Sequence, residues 1–267
     1  MAASKTHDFH ILDPDPWPLI GSMSALALTS GGVMWMHDNR FGPVVTLIGL
    51  LGVLTTMAMW WGNTIKEAHQ GHHTPVVQLH LRYGMILFIA SEVMFFLAWF
   101  WAYFDASLFP SAAETIGGQW PPKGLEVLNP WGFPLLNTMI LLCSGTTVTW
   151  AHHSLIHGDR QGLKLGLLLT VLLGVLFSGI QAYEYIHAPF AFKQASGGNI
   201  YGSTFFTLTG LHAMHVTIGV IMLTIILIRC LRGHFLPEHH FAFEAVSWYW
   251  HFVDVVWLFL FVFVYWL

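Results

Sequence analysis

The chain is 267 residues long, with 55% apolar residues and only 9% Asp, Glu, Lys and Arg, against roughly 25% charged in ordinary soluble domains. A water-facing surface cannot be dressed with so few charges, and a mean hydropathy of +0.60 points to a polytopic all-α membrane protein. Net charge is -4, from 10 basic and 14 acidic residues, and no Lys/Arg-rich run exists to track a phosphate backbone, which excludes nucleic acid as the partner.

In chain order, residues 1–16 form a polar segment carrying Lys5, Asp8, Asp13 and Asp15, with no charged n-region leading into a short h-region and cleavage site, so no removable signal peptide is expected. Long apolar runs then predict seven transmembrane helices near 17–36, 43–61, 81–104, 135–155, 163–186, 203–228 and 243–266, each close to the about 20 residues that cross a bilayer. Residues 62–80 hold Lys66, Glu67 and Pro75, and 105–134 holds Gln119-Trp120-Pro121-Pro122, so both read as ordered loops. The whole of 1–267 reads as a single transmembrane domain without internal repeats.

Charge sets the expected orientation. With seven spans, Lys5, Lys66, Arg82, Arg160, Lys164, Arg229 and Arg232 fall on one side, and Arg40, Lys123 and Lys193 on the other. The positive-inside rule therefore puts the N-terminus inside and the C-terminus outside. Cys143 and Cys230 then lie in opposite halves of the bilayer, farther apart than the roughly 4.4 to 6.8 Å between Cα atoms that a disulfide requires. They read as free, buried thiols.

Within the spans, Glu92, Glu184, Asp254, His212, His215 and His251 cannot reach an interface easily and should face protein or water. Glu92 has Phe88, Phe95, Phe96 and Trp99 at helical neighbour positions and no basic residue within a turn, so desolvation favours its neutral acid form. It reads either as an acid that exchanges protons or gates a bound lipid, or as a neutral acid hydrogen-bonded to another helix. Glu244, Ser247, His251, Asp254 and Leu258 share a face of the last helix, and His251 with Asp254 can pair there to make an interhelix clasp. Glu184 belongs to the same class of polar groups between helices.

His212-x-x-His215, Glu184-x-x-His187 and His152-His153 invite a metal or haem reading. The count and placement argue against it. Di-iron bundles need two Glu-x-x-His copies and two further glutamates, whereas here one copy stands at the outer edge and His152-His153 at the inner edge. An i, i+3 histidine pair on one helix is a poor axial set for one iron. No metal site is expected.

The inner boundary carries Trp60, Trp61, Lys66, His72, His73, Arg82, Arg229, Arg232 and His234. Indoles and cations at headgroup depth suit an anionic phospholipid held between helices; they also suit an ordinary aromatic belt with positive-inside charges. In Lys5-Thr6-His7-Asp8-Phe9-His10, two histidines beside an acid can collect and pass protons near neutral pH, or can belong to a solvated tail.

Gly71-His72-His73-Thr74-Pro75-Val76-Val77, Arg82-Tyr83-Gly84-Met85-Ile86-Leu87-Phe88-Ile89 with Ser91-Glu92-Val93, Thr149-Trp150-Ala151-His152-His153, Gln181-Ala182-Tyr183-Glu184-Tyr185 and the run from Trp248 to Phe259 closely resemble subunit III of haem-copper cytochrome c oxidase. The likeness covers nearly the whole chain from about His7. It implies a seven-helix subunit without haem or copper, in which two helices are split from five by a lipid-filled cleft. Such a subunit flanks subunit I, with subunit II in the same complex, and haem and copper reside in those partners. The assembly reduces oxygen with electrons from cytochrome c while pumping protons, so the chain is part of an enzyme although no catalytic residue of its own is implied.

The resemblance further implies that Glu92 is the family's carbodiimide-reactive carboxyl group. Trp60, Trp61, Lys66, His73, Phe88, Arg229, Arg232 and His234 match lipid-contact positions, with Lys66 standing where mitochondrial members are expected to carry arginine. His7 and His10 match inner-surface histidines that feed protons toward subunit I. The expected location is a bacterial plasma membrane or, as the alternative, the mitochondrial inner membrane. A different class, a proton-coupled carrier using Glu92 and Asp254 as its relay, is also compatible with the buried acids.

Overall fold

The structure, a computed structural model, describes residues 8–11, 14–110, 118–192 and 199–267. Seven long helices follow one another: α1 Trp17–Met36, α2 Gly42–His69, α3 Pro75–Leu108, α4 Phe133–Ile156, α5 Arg160–Ile186, α6 Ile200–Leu231 and α7 Phe241–Leu260, the last running on as π-helical turns over Phe261–Trp266. No strand element occurs among the described residues. Prolines stand in the first turn of α1, α2 and α4, where the missing N–H is an orphan in any case. The side chains of Asp159 and Asn199 cap α5 and α6 by accepting backbone N–H groups at 3.0 Å.

The helices outrun the apolar stretches that predict them. α2 continues to His69 and α3 already begins at Pro75, so most of 62–80, expected as a loop, is helical. The same holds for 105–108 at the far end of α3. Hydropathy reports the part of a helix that fits hydrocarbon, whereas the backbone ladder runs on into water wherever good helix formers follow, as Ile65-Lys66-Glu67-Ala68 do here.

Among the described residues six helices are long and apolar enough to cross a membrane, and α4 is the exception. It carries Asn137, Thr138, Ser144, Thr146, Thr147, Thr149, His152, His153 and Ser154, yet buries eleven residues against the chain itself. Its polarity is turned largely inward, where side-chain hydrogen bonds satisfy it.

The chain divides into two compact units, Met1–Tyr83 and Gly84–Leu267. In the first, α1 and α2 meet through small residues. A Cβ on Gly31 would land on the backbone of Thr46, one on Gly42 on the backbone of Trp35 and one on Gly49 on the backbone of Leu28, while one on Gly21 would meet Thr56 Cγ2 at 3.0 Å. Gly42, Gly49 and Thr56, the buried residues of α2, recur every seven positions, the spacing that keeps one seam facing a partner along a left-handed pair.

In the second unit the core is aromatic. Trp250 of α7 is fully buried and fills notches left by Gly174 of α5 and Gly219 of α6, where an added Cβ would meet its ring at 2.8 Å. Its Nε1–H donates to Ser144 Oγ of α4 at 2.9 Å, so one side chain joins four helices. Trp257 repeats the device one level away. Its Nε1–H donates to Thr138 Oγ1 at 2.9 Å, and its ring meets Phe177 edge-on at 4.8 Å.

Candidate functional site

The acid singled out in α3 has a partner on α6. Glu92 Oε2 lies 2.8 Å from His215 Nε2, with the imidazole side chain 7% and the carboxyl side chain 22% exposed. The other ring nitrogen, Nδ1, stands 2.7 Å from the carbonyl oxygen of Leu211. A carbonyl only accepts, so Nδ1 carries a hydrogen and donates it. Nε2 is then either a lone pair receiving the O–H of a neutral Glu92 or the second N–H of an imidazolium facing a carboxylate. In both forms the dyad holds one proton between its two groups and stays neutral as a pair, which suits a low-dielectric surrounding. Phe96 packs on the imidazole at 4.9 Å, Phe95 at 6.0 Å, and the Tyr249 ring stacks with Phe88 at 6.3 Å.

Nothing near Glu92 in sequence foretells His215, which is 123 positions away. The available signal was depth, since His215 is one of the few basic side chains inside an apolar span.

Several of the histidines that invited a metal reading are hydrogen-bonded within the chain. His212 Nε2 bonds the carbonyl oxygen of Val253 at 3.0 Å and both nitrogens of His215 are engaged. His187 Nδ1 bonds the carbonyl oxygen of Tyr183 at 2.9 Å. Among the described residues, no group of three or more His, Cys, Asp or Glu is arranged to hold a metal ion.

The polar stripe on α7 binds α4 differently from the expected His251–Asp254 pair. His251 Nε2 stands 3.2 Å from Thr149 Oγ1. Asp254, 8% exposed, lies against Gly145, where a Cβ would meet its Oδ2 at 2.8 Å, and its buried Oδ1 has no hydrogen-bond partner. A three-residue step puts two side chains on one face, but packing against α4 turns each toward that neighbour instead. Glu184 accepts from Tyr265 Oη at 2.7 Å and from Gln181 Nε2 at 3.3 Å, and Gln181 in turn accepts from Asn137 at 3.3 Å. This network ties α4, α5 and the C-terminal π-helical turns. Both cysteines are free; Cys230 is buried, but Cys143 is exposed, contrary to the expectation that both are covered.

The boundary residues fall into the two units. In the first, Trp60, Trp61 and Lys66 lie on α2 and His73 in the turn that follows. A groove of about 860 Å³ is lined by His10, Trp17, Trp60, Lys66, Glu67 and His72 among others. Residues 8–11 are tied down along it. Thr74 Oγ1 donates to the Asp8 carbonyl oxygen at 2.6 Å, the His10 and His72 rings stack at 4.9 Å, and His10 Nε2 stands 3.6 Å from Glu67 Oε2. Trp61 and His73 are not part of that lining. Burial holds the His73 imidazole below its usual value, opposed by the charge of Glu67. His7 lies outside the described residues, as do Lys5 and Lys193.

In the second unit Phe88 lies one turn from Glu92 on α3, and Arg229 and Arg232 close α6, with His234 just beyond. The Arg229 guanidinium sits over the Phe235 ring at 4.7 Å.

Residues 7–267 match the family described as cytochrome c oxidase subunit III. The chain belongs to that family. It is 57% identical over 267 residues to the cytochrome c oxidase subunit 3 of Marchantia polymorpha and 55% over 267 residues to that of Arabidopsis thaliana, in each case covering 100% of this chain and 98% of the relative. With the Rattus norvegicus protein of the same name the identity is 53% over 263 residues, 98% of each chain. Membership and the long apolar helices together make this a membrane-embedded component of a respiratory oxidase, in a family whose members are subunits of one complex.

Proposed function

We propose that the chain is a non-redox support of cytochrome c oxidase that holds phospholipid against subunit I, in a complex that also contains subunit II and keeps its haem and copper in those partners. The groove along α2 carries this reading. Two indoles, Trp17 and Trp60, and the Lys66 ammonium line it together with Asp15 and Glu67; at a membrane boundary such a wall offers apolar surface and a cation for a lipid phosphate. Trp61 and His73 add to the contacts of this unit; in the second unit Arg229 and Arg232 at the end of α6, with Phe88 and His234, make lipid contacts of their own, and the seven helices, α4 included, all span the bilayer. The N-terminus lies inside and the C-terminus outside, in a bacterial plasma membrane or its mitochondrial counterpart.

Two further tasks belong to the same reading. His10, stacked on His72 near Glu67, gathers protons for uptake by subunit I together with His7. Held lipid tails give oxygen a hydrocarbon route, and Glu92 with His215 is a neutral proton-sharing pair beside that phase. The test is replacement of Trp60 and Arg229 by alanine in the intact oxidase, with bound phospholipid and working lifetime measured during turnover. Both should fall together; lipid lost with an unchanged lifetime rejects the proposal.

A further inference from the structure

Three of the long helices end in the same device. His37 closes α1, His157 closes α4 and His187 closes α5, and in each the backbone N–H bonds the carbonyl oxygen four residues back, that of Val33, His153 or Tyr183, at 3.1 to 3.2 Å. The ring follows the backbone. Nδ1 stands 2.9, 2.8 and 2.9 Å from that same carbonyl oxygen, so one acceptor ties off the helix end twice. A carbonyl oxygen only accepts, so Nδ1 carries the hydrogen, and in the neutral ring Nε2 keeps its lone pair. All three rings are exposed.

What differs is the side chain four residues back, which shares a helix face with the ring. At α1 it is a valine, and at α5 a tyrosine that stacks on His187 at 4.1 Å. At α4 it is a second imidazole. His153 is exposed, and its ring centre lies 6.3 Å from that of His157 with the planes tilted by 30°. Two histidines one turn apart on one helix face are a ligand pair for a borderline divalent metal ion, and a hydrogen bond from the other ring nitrogen to a backbone carbonyl is what orients such a ligand. Metal–nitrogen bonds of about 2.0 to 2.1 Å hold two ring centres about 5 Å apart. The pair reaches that separation by small rotations of exposed side chains.

We infer that His153 and His157 form a surface chelate for a borderline divalent ion, zinc or copper(II), bound through Nε2 of His157 and a ring nitrogen of His153, with water completing the coordination. Two protein ligands are fewer than structural and catalytic sites use, so the ion exchanges with the water phase. Magnesium and calcium, which take oxygen ligands, are not held. The site needs no lipid in the groove along α2 and is tested separately from it.

The test uses the intact oxidase after treatment with a chelator. Diethyl pyrocarbonate, which acylates free imidazole nitrogens, is applied during a zinc titration, and the peptides carrying His37, His153, His157 and His187 are followed by mass spectrometry. Once zinc reaches about ten times the dissociation constant, the free pair has fallen about tenfold, and labelling of His153 and His157 should slow together by that factor. Magnesium should leave it unchanged. His37 and His187 share the cap without the second imidazole, so their labelling should not respond to zinc. His153→Gln removes one ligand and keeps the backbone carbonyl that holds His157, which should then lose its protection. Equal slowing at all three cap histidines, protection of His157 that survives His153→Gln, or no effect of zinc up to millimolar concentration each overturns the inference. So does a pair that fails to label before zinc is added, because the ion must reach it from water.

Discussion

The two units solve the same problem, holding helices together where water gives no driving force, by opposite means. α1 and α2 join backbone to backbone along Gly31, Gly42 and Gly49 and leave almost every large side chain exposed, with Gly31 the one buried residue of α1. α4 to α7 join through side chains: Trp250 is inserted into glycine notches, and Trp250 and Trp257 are fastened by indole N–H bonds to Ser144 and Thr138. A small-residue seam gains van der Waals contact over a narrow strip and tolerates no added atom; an aromatic core gains more per residue and depends on a few irreplaceable rings.

Emptying the aromatic core is the harshest way to break this contrast. Trp250→Ala removes the ring held by Gly174 and Gly219 and takes from Ser144 Oγ the indole N–H it accepts, and a buried Trp→Ala typically costs about 3 to 5 kcal/mol. Thermal unfolding of the detergent-solubilised oxidase should show early loss of this chain with the α1–α2 pair intact. An unchanged transition would mean that the core does not depend on the four-helix junction. Adding a single carbon to the other unit should act locally. Gly49→Ala forces the helices apart at Leu28, and overpacking of this kind costs about 1 to 3 kcal/mol. Hydrogen exchange should quicken over α1 and α2 and stay the same over α4 to α7. Equal quickening in both regions would show that the two packing modes are coupled.

That contrast also explains what could be read from the sequence. Apolar runs located the seven helices, six of them long and apolar enough to cross a membrane, where a segment must satisfy its backbone internally, but they set the end of α2 short, since Lys66, Glu67 and His69 are as helical as they are polar. Glu92 stood out as an acid within hydrocarbon, whereas His215 did not stand out as its partner, because which helices meet is a property of the tertiary packing. Trp250 and Gly219 are unremarkable letters until a ring occupies the notch. His251 and Asp254 were correctly placed on one face; that each turns to α4 rather than to the other follows from Gly145, whose missing side chain leaves room for the carboxylate.

The gentlest test lies in the turn after α2, outside the hydrocarbon. Burial lowers the His73 imidazole from its ordinary value near 6.5, more than Glu67 raises it, so the opened turn binds a proton more readily than the closed one. Stability of the turn therefore rises with pH. The stabilising contribution is complete above about 6.5 and is lost as pH falls from there through the lowered folded-state value. Amide exchange over 70–75 should accelerate on acidification through that window, and His73→Gln, which removes the titrating ring while leaving the backbone carbonyl that accepts from Gln78 at 3.2 Å, should flatten the pH dependence. A slope that survives His73→Gln unchanged would show that His73 is not the group that sets the stability of this turn.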